Sequence, residues 1–136
     1  MKKVIIYWSG TGNTESIATL IQSDTMADLK RVSDISVLEA SLYDVIILGC
    51  PAMGAEELEE DEFKPFYEEL ISGVSNKKFA LFGSYDWGDG EWMRSWENDL
   101  ILNGGELLTP GLIVNGDVSV IDSNCYEAFI NAINQN

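Results

Sequence analysis

Ser9-Gly10-Thr11-Gly12-Asn13-Thr14 is the segment best equipped for chemistry in this chain. It follows the apolar run Val4–Trp8 and precedes Ile17, Leu20 and Ile21, which repeat at helical spacing. A strand, a glycine-containing turn and a helix start together present backbone N–H groups to an anion. The segment adds three hydroxyls and one carboxamide but no Lys, Arg or His. A phosphate bound here would be held by dipoles alone. The pattern is not a P-loop, because it lacks Gly-Lys-Ser/Thr at the required offset. It is not the dinucleotide fingerprint either, because the third glycine is missing.

Two further loops have unusual compositions. Cys50–Glu62 carries Met53 beside Gly54, then six acidic residues between Glu56 and Glu62. A Met in an exposed loop is a soft contact for a flat ligand, although taken alone it reads better as a cap on the core. The acidic run forms an anionic lip, partly a solvated face. Ser84-Tyr85-Asp86-Trp87-Gly88-Asp89-Gly90 places Trp87 among polar residues and glycines, with no apolar period to bury it. An indole so placed is a candidate stacking platform. With phosphate at one end and Met53 and Trp87 facing across a slot, the three loops describe a flavin mononucleotide (FMN) site.

These loops need elements to hold them. The apolar runs Val4–Trp8, Asp44–Gly49, Lys78–Gly83 and Leu112–Val114 read as strands, with Leu29–Val32 as a polar edge strand. Helical periods follow the first strand and recur in Phe63, Phe66, Tyr67, Leu70, Ile71 and Val74, with Pro65 in the first turn. They recur again in Trp92, Met93, Trp96 and Leu100, closed by Gly104-Gly105, and in a last helix capped by Ser123. Ser36–Ser41 reads as a short helix. Alternating strands and helices imply a parallel sheet covered on both faces, with ligands at the carboxyl ends of the strands.

Composition narrows the partners. Eight Lys+Arg against 23 Asp+Glu give −15 on 136 residues. That charge repels nucleic acid and anionic lipid and favours basic protein surfaces. Hydrophobic content of 46% argues against a disordered acidic chain. Only five apolar residues follow Met1-Lys2-Lys3, too few for a signal peptide or a membrane span, so a cytoplasmic single domain over 1–136 is expected. Cys50 and Cys125 read as free, buried thiols. Without histidine, the common transition-metal sites are not expected.

The three motifs, in this order, resemble the short-chain flavodoxins. The likeness runs from Tyr7–Thr14 through Leu48–Gly54 to Leu81–Tyr85 and Trp87–Met93. It implies a flavodoxin-like doubly wound five-stranded parallel sheet of order 2-1-3-4-5, with helices on both faces. It implies FMN contacts from Ser9, Gly10, Thr11, Gly12, Asn13 and Thr14, from Pro51, Ala52, Met53, Gly54, Ala55 and Glu56, and from Ser84, Tyr85, Asp86, Trp87 and Gly88. Met53 and Trp87 would cover the two ring faces, Glu56 would accept the flavin N3–H, and the Gly54–Ala55 carbonyl would turn to accept N5–H. Two features depart from the pattern. Asp86 stands where relatives commonly have Gly, and is expected to point to water. Ser23–Arg31 looks several residues short, far from the flavin.

The resemblance further implies a low-potential one-electron carrier, shuttling FMN between semiquinone and hydroquinone without substrate turnover of its own. One carboxylate about 10 Å from reduced flavin, at an effective dielectric of about 40, opposes its charge by roughly 0.8 kcal/mol, or roughly 35 mV. Expected partners are basic-faced redox proteins docking at the acidic flavin edge, on a monomeric carrier. The alternatives are a small FMN-dependent reductase, an electron donor dedicated to one enzyme, and a non-redox receiver module. The last lacks a phospho-acceptor Asp after the first strand.

Overall fold

A computed structural model describes residues 1–73 and 76–136. The elements run β1 (Lys3–Tyr7), α1 (Asn13–Thr25), β2 (Asp28–Arg31), α2 (Val37–Ala40), β3 (Val45–Gly49), α3 (Phe63–Gly73), β4 (Lys78–Ser84), α4 (Glu91–Leu102), β5 (Glu106–Leu107), β6 (Leu112–Val114) and α5 (Ser123–Asn134). Every strand pairing is parallel, in the order β2-β1-β3-β4-β5, and β6 also pairs with β4. The doubly wound order is the expected one. The fifth position, expected as the single strand Leu112–Val114, holds two short pieces, β5 and β6. Between them Pro110 has no N–H to offer a ladder.

The strand periodicity of two sorts the core into halves. Val4, Ile6, Ile46, Leu48, Phe79 and Leu81 face α3 and α4. Ile5, Tyr7, Val45, Ile47, Ala80 and Phe82 face α1 and α5. β3 is buried along its whole length, as the unbroken apolar run Val45–Gly49 requires. β2 is mostly exposed, as its polar sequence requires at a sheet edge. The helices bury the faces their periods mark: Ile17, Ala18 and Ile21 in α1, Phe63, Tyr67, Leu70 and Ile71 in α3, Trp92, Met93, Trp96 and Leu100 in α4. Val74, expected on the α3 face, lies outside the described residues.

Three readings are corrected. Asp122, not Ser123, caps α5: its carboxylate accepts the Cys125 N–H at 3.0 Å. Cys125 is exposed in the first turn of α5, ahead of the buried stretch that begins at Phe129; only Cys50 is buried. Glu59 does not belong to the acidic lip. It is 5% exposed, and its carboxylate accepts three backbone N–H groups at the start of α3. The short Ser23–Arg31 segment closes through Met26, left-handed at φ 59°, so that only Met26 and Ala27 separate α1 from β2.

Candidate flavin site

The loops meet because the sheet hydrogen bonding continues past the strand ends. Trp8 N–H donates to Gly49 O (3.0 Å), Cys50 N–H to Phe82 O (3.1 Å), Ala52 N–H to Ser84 O (3.0 Å) and Tyr85 N–H to Val114 O (2.9 Å). Side chains then lock the loops laterally. The buried Thr14 Oγ1 and Ser84 Oγ lie 2.8 Å apart, joining the first turn of α1 to the end of β4. Trp8 Nε1 donates to Glu62 Oε1 at 3.3 Å. Glu91 N–H, in the first turn of α4, donates to Glu56 Oε1 at 3.1 Å.

Ser9–Thr14 forms a cradle. Gly12 sits at φ 101° as the N-cap of α1. Ser9 Oγ accepts the N–H of Gly12 and of Glu15, each at 3.2 Å. Among the described residues no hydrogen bond engages the N–H of Gly10, Thr11, Asn13 or Thr14. Free donors at a helix N-terminus are what a phosphate needs. They line a cavity of about 120 Å³ with Trp8, Pro51, Ala52, Met53, Ser84 and Asp86. Trp8 was missed as a site residue by sequence reasoning, which counted it as strand. Its period-two position points it to the α3 side, and its ring lies against Gly10, where an added Cβ would meet it at 2.9 Å.

Of the other expected contacts, Gly54, Ala55, Glu56, Tyr85, Trp87 and Gly88 lie outside this cavity. Met53 to Glu57 is a tight turn, closed by reciprocal bonds of 2.8 and 2.9 Å, with Gly54 at φ 48° and Glu56 at φ 55°. Nothing lies within 4 Å of a Cβ built at Gly54. Tyr85 packs on Trp92, ring centroids 5.4 Å apart, rather than opening into the cavity. Ala55 and Glu56 line a larger cavity of about 410 Å³ between α3 and α4. Size does not identify the binding site here: the larger cavity lies between two helices, whereas the smaller one holds the helix N-terminus of α1. Trp87 is 63% exposed and Met53 37%, while Trp92 and Trp96 are almost fully buried. Two large apolar side chains left in solvent on neighbouring loops fit the faces of a planar ring, and the uncharged cradle fits its phosphate.

The chain matches the flavodoxin family model over residues 5–129. It is 46% identical over 128 residues to a flavodoxin of Clostridium beijerinckii, covering 90% of this chain and 93% of that one. It is 48% identical over 98 residues to the flavodoxin of Megasphaera elsdenii, covering 68% of this chain and 72% of that one. The chain belongs to the flavodoxin family. The solution structure of two-electron reduced Megasphaera elsdenii flavodoxin superposes with a TM-score of 0.87 at 40% identity, over 98% of this chain and 99% of that one. Flavodoxins carry electrons on bound FMN and turn over no substrate of their own, and this chain is such an electron-transfer flavoprotein. Among the described residues no helix is long and apolar enough to cross a membrane.

Proposed function

We propose that residues 1–136 act as one domain, a low-potential one-electron carrier whose cofactor is held by Ser9–Thr14 at the phosphate, Met53 and Trp87 at the ring, and the turn Gly54–Glu56 at its polar edge. The observation that supports this most is the cradle of free N–H groups without a cation beside two exposed apolar side chains. Bound FMN supplies the one-electron chemistry. The N–H groups of Gly10, Thr11, Asn13 and Thr14 and the Thr11 hydroxyl bind the phosphate. Ser9, whose hydroxyl already holds the Gly12 and Glu15 N–H groups, keeps the turn in shape. Glu56 keeps one oxygen on the Glu91 N–H, leaving the other for the flavin N3–H. Gly54, at φ 48° with nothing within 4 Å of an added Cβ, suits a peptide that can turn, and its carbonyl would then accept a hydrogen bond from a flavin N5–H.

The protein is proposed to be a cytoplasmic monomer. Its docking face is the rim formed by Glu57, Glu60, Asp61 and Glu62, all exposed, which suits basic redox proteins. The test is titration of the cofactor-free chain with FMN and with riboflavin. Thr11→Ala removes one exposed hydroxyl and no core contact. Losing one hydrogen bond to a charged phosphate weakens FMN binding about tenfold or more and leaves riboflavin binding unchanged. Equal losses for both ligands would show that Ser9–Thr14 does not hold the phosphate.

A further inference from the structure

We propose that Asp86 sets the preference of the cleft for oxidised over two-electron-reduced flavin, an inference that rests on the flavin site proposed above. Asp86 is exposed, as expected, and among the described residues it is the single charged side chain lining the cavity shared by Ser9–Thr14, Met53 and Ser84. Its carboxylate has no hydrogen-bond or ion-pair partner among the described residues, a state it shares with Glu57, Glu60 and Asp61, which do not line this cavity; the other nearby carboxylates are engaged. Glu56 holds the Glu91 N–H, Glu59 holds three N–H groups, and Glu62 accepts from Trp8. Asp89 and Glu91 both pair with Arg94, at 3.1 and 2.8 Å.

An unneutralised carboxylate lining a cleft for an anion opposes binding. Its effect grows with the charge on the part of the ligand it faces. Asp86 immediately precedes Trp87, so their Cα atoms are one peptide apart, about 3.8 Å. Asp86 also shares its cavity with Met53, so it neighbours both proposed ring platforms. We therefore place its charge at the ring end, where it acts on the flavin that has gained electrons more than on the neutral oxidised ring. A ligand shifts a two-state equilibrium only by its differential affinity for the states, and here the two states are the cofactor's own.

The test compares dissociation constants for oxidised FMN and for FMN reduced anaerobically with dithionite, in wild type, Asp86→Asn, Asp86→Gly and Asp86→Glu. Asp34→Asn, which removes an exposed charge outside the cavity, is the control. Riboflavin in both states is the second ligand. Asp86→Asn and Asp86→Gly tighten the reduced form about three- to tenfold relative to the oxidised form, the effect of one charge roughly 6–10 Å away at a dielectric of about 40. A tenfold change in that ratio is about 30 mV in the two-electron potential. Riboflavin shows the same change, and Asp86→Glu keeps the wild-type ratio. A ratio no different from that of Asp34→Asn overturns the proposal. So does a change in Asp86→Gly but not Asp86→Asn, which would mark a backbone effect. So does equal tightening of oxidised and reduced FMN with riboflavin unmoved, which would put the charge on the phosphate. Failure of wild type to bind FMN would instead sink the flavin site itself.

Discussion

Glu59 shows how a single residue can be misassigned by its neighbours in sequence. Among Glu56, Glu57, Glu60, Asp61 and Glu62 it reads as one more solvated acid. Burial disfavours its charge, but the N–H groups of Phe63, Glu62 and Asp61, each at 2.8 Å, together hold its pKa below the ordinary value. A depressed carboxylate stabilises the fold above its unfolded pKa and loses that contribution as pH falls through the folded one. Wild type should therefore lose stability as pH drops below the usual glutamate range. Glu59→Gln should be about 1–3 kcal/mol less stable at pH 7, with a shallower acid slope in urea melts. An unchanged slope would mean that other carboxylates govern the acid limb. The cysteines make the same point. Burial pushes the Cys50 thiol up to about 12, with its sulfur accepting the Glu59 N–H. One thiol, Cys125, should react with a thiol reagent in the native state, and the second only in denaturant. Neither the exposure of Cys125 nor the burial of Glu59 is written in local sequence. Both depend on which face of a helix, or which end of one, the finished sheet covers.

At the scale of elements the sequence was far more legible. Apolar runs such as Val45–Gly49 and helical periods such as Phe63–Ile71 report burial directly, because the sheet leaves no other place for them. Where an element is held by one bond rather than by a period, legibility failed. The split of β5 from β6 turns on Pro110 and on Glu97, whose carboxylate accepts the Gly111 N–H at 2.6 Å from α4. The cap of α5 turns on Asp122 reaching Cys125 N–H. The cradle Ser9–Thr14 was legible from its residue types. The coupling between the Met53 and Trp87 loops was not, since it runs through Glu56 to the first turn of α4. Gly88 is part of that coupling. It sits at φ 90°, and an added Cβ would lie 2.6 Å from Glu56 Oε1. Gly88→Ala should therefore cost about 1–2 kcal/mol and displace the Glu56 carboxylate. If the two loops act as one unit, Gly88→Ala and Glu56→Ala should be non-additive in stability, with a coupling of about 0.5 kcal/mol or more in a double-mutant cycle. Strict additivity would mean that the loops move independently.

The whole molecule carries one excess that no single loop explains. A net charge of −15 repels itself in the compact state, and the ion pairs of Arg31 with Glu15 and of Arg94 with Asp89 and Glu91 lie half exposed and offset little of it. Salt should therefore stabilise the fold. Raising ionic strength from about 10 to 200 mM shortens the Debye length from about 30 Å to under 10 Å, comparable to the spacing of surface charges. A gain of about 1 kcal/mol would lift the melting temperature by about 3–6 °C for a domain of this size. The same screening works against function. With the proposed rim as docking face, a basic cytochrome used as electron acceptor should be drawn to it by long-range attraction, and the bimolecular rate should fall about tenfold or more over that salt range. The two responses have opposite signs and one cause, which makes them a joint test. Neutralising Glu60 and Asp61 together on the exposed rim should reduce the salt slope of the rate and change the salt slope of stability little, because two charges are a large share of a docking face and a small share of 23 acids. A rate whose salt slope survives that double substitution would place docking elsewhere on the acidic surface.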